Sequence, residues 1–267
     1  RLSRARTFPF VHSLDHLGPL ARSPRDLALV LDALQGPDAD DPALIGRPAV
    51  AAVADLRRGV GDLRIAVAGG YFRNGAGPEA LAAVAHVAGA LGAAREVEIP
   101  IAAAARAAAY LITTSESSAL HLDRLRSRAG DFDPDTRDRF LSGAMVPAAW
   151  YLSAQRLRAA AKAAFASLFE TVDVILAPAT PFPALKSGTR TVEIGGATLP
   201  ARPNIGIFTQ PISFVGLPVV AVPVWLPGAA LPIGVQVVAP AWREDIALRV
   251  AEALHQSGAT SAPVAQT

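Results

Sequence analysis

Two hydrophobic periods alternate along this chain. Leu27, Val30, Leu31 and Leu34 recur at helical spacing and predict a helix. Ser23-Pro24 opens it, because a serine side chain accepts from free backbone N–H groups and proline fits a first turn. Gly36-Pro37 closes it, and Asp38–Asp55 reads as a polar connection. Leu63–Ala68 (LRIAVA) is a short apolar run, the mark of a buried strand. Pro78–Leu91 predicts a helix and Ala94–Ile99 a second strand. A strand–helix–strand crossover of this kind favours parallel pairing.

Three more helices are predicted at Ile101–Arg126, Asp133–Gly143 and Pro147–Glu170, with Pro147 at a start, where its missing N–H costs nothing. Asp173–Ala177 (DVILA) reads as a strand running into the loop Pro178–Pro183. Thr191–Ile194 and Thr198–Pro200 flank Gly195-Gly196 as a hairpin. Pro203–Phe214 reads as helix or irregular chain. Val219–Pro223 and Ile233–Ala239 predict strands, Glu244–Gln256 a closing helix, and 258–267 a flexible tail. The alternation predicts an α/β fold: a mixed, largely parallel sheet covered by helices. Ligands of such sheets bind at loops beyond strand C-termini, and Pro178–Pro183 is one of these.

Composition narrows the function. With 267 residues, 51% hydrophobic and 18% charged, the chain can bury a substantial core. The net charge is only +2 and the arginines are scattered, often beside Asp or Glu, so no nucleic-acid partner is expected. Apolar runs are broken by proline or charge well short of about 18 residues, so no membrane span is expected. There is no Cys, which excludes thiolate chemistry. No signal-peptide pattern opens the chain, and the expected compartment is the cytoplasm.

Candidate chemistry is sparse. AGGYFRNGAG after the first strand does not match G-x-G-x-x-G, so no dinucleotide loop is read there. Ser115 and Ser117-Ser118 lack flanking glycines. Only two lysines occur, Lys162 in an Ala-rich helix and Lys186 beside a Pro-rich loop. His12 and His16 are spaced to share a helical face near Asp15, but Pro9 and Gly18-Pro19 argue against a helix, and no metal is expected. His121 reads as a satisfied helix histidine, and His86 and His255 as surface or core residues. Tyr71, Tyr110, Trp150 and Tyr151 read as packing aromatics, Tyr151 being placed to reach a pocket.

A set of ordered segments carries a resemblance. SLDHLGPLARSPRDLALVLDAL, DLRIAVAGGYF, the helix with Glu116, RDRFLSGA, DVILAPATPFPA, TQPISFVGLPVVAVP and PIGVQVVAP resemble the amidase-signature hydrolases in sequence and in order. The likeness covers nearly the whole chain. GPDADDPA, AGGYFR, FDPDTRDRFLSGAMVPAAWYL and APAWREDIALRVAEAL are most similar to the branch that hydrolyses carboxybiuret.

The resemblance implies an amidase-signature fold lacking its N-terminal part, with 1–267 as the C-terminal portion of a single domain. It implies hydrolysis of a C–N bond in a small carboxylated urea-like amide by a Ser–cis-Ser–Lys triad on a Gly/Ser-rich loop upstream. No catalytic residue is therefore assigned here, and the chain alone is expected to be inactive. The alternative is a non-catalytic paralogue that binds a ligand or partner. The family implies no cofactor and no metal, a homo-oligomeric enzyme, and a small helical partner subunit.

Residue by residue, the resemblance places Arg139 against a substrate carboxylate, which a guanidinium fork binds bidentately. Composition alone would make Arg139 a helix-surface residue paired with Asp135 or Asp138. Thr209, Gln210 and Ser213 match the acyl-pocket wall. Gly206 stands where the tRNA amidotransferase relatives carry Asp, which disfavours an amino-acid amide. Asp15 is implied to support the active-site loop through backbone hydrogen bonds rather than by proton transfer.

Overall fold

A computed structural model describes residues 1–264. Its strands are β1 (Ile65–Ala68), β2 (Arg95–Val97), β3 (Val174–Pro178), the hairpin pair β4 (Thr191–Ile194) and β5 (Ala197–Pro200), β6 (Val219–Val224) and β7 (Ile233–Val238). Five of them form one sheet in the order β2-β1-β3-β7-β6. β2, β1 and β3 pair in parallel, whereas β7 is antiparallel to both β3 and β6. Four strands thus run one way and β7 runs against them, which is the mixed, mostly parallel α/β sheet expected. β7 is reversed because the Trp225–Pro232 link from β6 is too short for a crossover.

The helices are α1 (Pro24–Leu34), α2 (Ala52–Asp55), α3 (Tyr71–Asn74), α4 (Pro78–Ala90), α5 (Ala102–Arg128), α6 (Pro134–Gly143), α7 (Ala148–Leu168), α8 (Ala201–Asn204), α9 (Gln210–Val215) and α10 (Glu244–Gln256). Ser23 caps α1, its side chain accepting from Asp26 N, and Asp133 caps α6 through Asp135 N. Two single-turn helices were not anticipated. α2 interrupts the Asp38–Asp55 connection, and α3 follows Gly69-Gly70 directly. Pro203–Phe214 resolves into the end of α8, a turn, and α9.

β3 explains the layering. Its five residues are all buried, and alternation sends Ile175 and Ala177 to one face and Val174 and Leu176 to the other. The first face packs under α5, α7 and α9 with Phe72, Ile112, Phe165, Phe208 and Phe214. The second packs under α4 and α10 with Val84, Val87, Ile246, Val250 and Leu254. α1 and α2 cover the outside of α10 around Ala28, Leu31, Leu56 and Leu248. Of the stretch 258–267, residues 265–267 lie outside the described residues. Ala259, Thr260 and Ser261 bond back to His86, Leu254 and Trp225.

α6 approaches α5 so closely that only glycine fits at 143. A Cβ there would overlap the Thr114 carbonyl oxygen and stand 2.7 Å from Ser118 Cβ. Alanine gains about 1 kcal/mol of helix propensity over glycine, but backbone must move to admit it, and overpacking costs about 1–3 kcal/mol. Gly143→Ala should therefore lower the urea-unfolding midpoint. A midpoint unchanged or raised would show that the two helices are not in contact there.

Candidate functional site

The site is built on α5. Positions 106, 110 and 114 recur at about one turn, 121 follows about two turns on, and all four share a face. At the first of them, Arg106 Nε donates to Gln210 Oε1 at 3.0 Å, and its Nη2 donates to Asn204 Oδ1 at 2.8 Å and Pro203 O at 3.2 Å. Asn204 is itself held, its Nδ2 donating to Pro200 O at 2.8 Å. Tyr71 OH pins the adjoining turn by donating to Ile207 O at 2.9 Å, and burial pushes this phenol's pKa up.

One turn further, about 6 Å of rise, Arg139 from α6 lies over Tyr110. Its Cζ is 4.5 Å from the ring centroid, and its Nε donates to Thr114 Oγ1 at 3.3 Å. Among the described residues no carboxylate pairs with it. Asp135 pairs with Arg202 at 2.7 Å and Asp138 with Arg137 at 3.2 Å. The helix-surface ion pair that composition suggests is therefore not formed. Among the described residues, Arg139 Nη1 and Nη2 have no partner, and neither is sealed from solvent. Burial lowers this guanidinium's pKa, but an arginine stays charged.

The other expected pocket residues lie at the start of α9. Thr209 and Gln210 are half-buried and Ser213 is exposed. Thr209 Oγ1 donates to Gly206 O at 3.2 Å. Gln210 and Arg139 thus both attach to one face of α5, Gln210 at Arg106 and Arg139 at Tyr110 and Thr114, one and two turns further along. Asp15 lies elsewhere: its carboxylate accepts from Phe10 N at 2.8 Å and Val11 N at 2.9 Å. Both oxygens are used to close the Phe10–Asp15 turn, a backbone-holding role. Further along the face, His121 is buried between Phe8 and Phe140, stacked on both at 5.4 and 5.8 Å. Pro9 O, an acceptor only, lies 2.9 Å from Nε2, so Nε2 carries the proton and Nδ1 accepts from Arg124 at 3.3 Å.

Glu116 projects about 120° round α5 from Tyr110 and gathers a network that sequence reasoning missed. Its carboxylate accepts from Ser13 N at 2.8 Å, Ser13 Oγ at 2.7 Å and Tyr151 OH at 2.9 Å. Gln155 Nε2 donates to Tyr151 OH at 2.9 Å. Arg158 completes it, donating to Ser13 Oγ at 3.1 Å, Ser13 O at 2.8 Å and Phe214 O at 2.8 Å. Burial lowers the Arg158 pKa. Burial and then the Glu116 bond raise that of Tyr151. Tyr151, expected as a packing aromatic, is a hydrogen-bond donor here. The spacing Tyr151, Gln155, Arg158 was the available signal, since these positions share one face of α7.

Chemically, the α5 face presents open hydrogen-bond donors, and among the described residues Arg139 is paired with no carboxylate. No group of three or more His, Asp or Glu residues is placed to hold a metal among the described residues. A cleft of about 220 Å³ lined by Ile99, Ile101, Phe165 and Leu168 contains none of these donors.

Known proteins share this α/β scaffold and its element order. The family described as Amidase matches residues 1–248, and the chain belongs to it. It is 50% identical over 260 residues to AtzE, a 1-carboxybiuret hydrolase subunit of Pseudomonas sp. (strain ADP), covering 97% of this chain and 57% of that protein. It is 32% identical to a glutamyl-tRNA(Gln) amidotransferase subunit of Akkermansia muciniphila, over 95% of this chain and 60% of that one. A solved structure described as a vestigial protein complex, from work on the origins of an s-triazine catabolic enzyme, superposes with a TM-score of 0.95 at 48% identity. That match covers 98% of this chain and 57% of the solved one. The chain therefore spans somewhat more than half the length of these relatives.

Glu116→Gln tests the network. Glutamine keeps one acceptor oxygen but turns an NH2 group toward donors, and losing bonds to a charged group costs about 1.5–3 kcal/mol. The expected result is a lower melting temperature with faster amide exchange at Ser13. Wild-type protection of the Ser13 amide in the variant would show that Glu116 does not hold this segment.

Proposed function

We propose that this chain is the C-terminal portion of a single amidase domain, 1–267. Its complete, cytoplasmic form hydrolyses a C–N bond of a small carboxylated urea-like amide without a cofactor. The observation that carries the reading is Arg139: a half-buried guanidinium that, among the described residues, has two Nη groups without a hydrogen-bond partner and no paired carboxylate. The half identity to a 1-carboxybiuret hydrolase subunit supports the same substrate class. Thr209, Gln210 and Ser213 are read as the acyl-pocket wall, and Asp15 as a support for the neighbouring backbone.

In this reading a Ser–cis-Ser–Lys triad on an upstream loop attacks the carbonyl, and backbone N–H groups stabilise the oxyanion. The described residues hold the substrate's carboxylate and so set the register of the scissile bond. A homo-oligomer and a small helical partner subunit belong to the same proposal. The description of a similar solved structure as a protein complex supports an assembly.

The chain on its own should show no amidase turnover, because the Ser–cis-Ser–Lys triad of this reading lies upstream of it. Robust hydrolysis by the purified chain, with contaminating amidases excluded, would overturn that part.

In the full-length protein, Arg139→Ala should lower kcat/KM for a carboxylated substrate by about 30- to 150-fold, the loss of a charge-assisted contact of about 2–3 kcal/mol. A neutral amide of similar size should lose much less. Arg139→Lys should rescue only in part, since a point charge cannot reproduce two parallel bonds. The check is kcat/KM on both substrates, with melting temperatures as a control for folding. Equal losses on both substrates would make Arg139 structural.

A further inference from the structure

Arg106 emits donors only, so the Gln210 atom it contacts at 3.0 Å must be the carbonyl oxygen. The guanidinium cannot swing away freely, because its Nη2 is anchored on Asn204 Oδ1 and Pro203 O. Asn204 is buried and anchored in turn on Pro200 O. The carboxamide of Gln210 therefore has one orientation, with Nε2 pointing away from Arg106. Among the described residues that NH2 group has no partner, and it is not sealed from solvent. Further along the same face of α5, Arg139 lies over Tyr110, one turn from Arg106, and bonds Thr114, two turns from it, leaving its two Nη groups open.

We infer that Arg106 is a positioning residue for ligand recognition. By holding Oε1 it makes Gln210 a donor toward the open face. Gln210 and Arg139 then form one donor surface that selects a carboxylate flanked by a further acceptor oxygen and rejects amine-bearing ligands. The inference rests on reading this face as the substrate wall. A free glutamine would present either end of its amide. A bond to a charged donor biases that choice by about 10- to 150-fold. Arg106 touches no ligand in this scheme; it acts through Gln210.

The test uses the full-length protein and oxamate, a carboxylate joined to an amide, titrated by calorimetry alongside melting curves. Gln210→Glu keeps an acceptor for Arg106, so the melting temperature should hold. It also replaces the outward donor with an acceptor, and oxamate affinity should fall by about 30-fold or more. Gln210→Met removes the donor without adding charge and should fall by about 10-fold. Arg106→Met should lose several-fold in oxamate affinity in the wild-type background but nothing further in the Gln210→Met background.

Full additivity of the two losses, wild-type oxamate affinity in Gln210→Glu, or a wild-type protein that does not bind oxamate would each overturn the inference. The functional proposal is judged separately. If the wild-type enzyme hydrolyses carboxylated and neutral amides equally, that proposal fails, while the oxamate titrations still decide the role of Arg106.

Discussion

The Glu116 carboxylate is the constraint on which the arrangement of this half of the molecule depends. It collects donors from Ser13 and Tyr151 while Arg158 grips Ser13 from the other side and reaches Phe214 O. One network therefore fastens the N-terminal segment, α5, α7 and α9 to each other. A carboxylate accepts several bonds at once, and each charge-assisted bond is worth more than a neutral one. Directional bonds of this kind fix the register of helices that apolar packing alone would let slide.

Once those helices are registered, α5 sorts its side chains by angle. One face ties the chain to itself through Glu116, and another carries Arg106, Tyr110 and Thr114 toward α9 and α6. The close contact at Gly143 lets α6 lie near enough for Arg139 to reach across to Tyr110 and Thr114. Sequence spacing, helix packing and the donor surface are thus successive consequences of one geometry.

Much of this was legible. The cap at Ser23 and the apolar run of β3 placed their elements directly, since each signal is local. The single-turn helices α2 and α3 left no trace, because four residues are too few for a helical period to show. The reversal of β7 depended on the short β6–β7 link, which only the paired strands made plain. At the candidate site, Arg139 and the TQPIS segment were singled out by the family resemblance alone. Arg106 was not, because it sits in an alanine-rich stretch and its partners lie about a hundred positions away. Ser13 and Glu116 are separated by 103 positions, so nothing local announces their bond.

The most direct measurement is a crystal structure of the full-length protein with a non-hydrolysable carboxylated urea analogue. The account places the carboxylate within hydrogen-bond distance, about 2.7–3.2 Å, of the Arg139 Nη groups, with an acceptor oxygen of the ligand against Gln210 Nε2. A carboxylate bound elsewhere, with the Arg139 guanidinium turned to a protein acceptor, would contradict it.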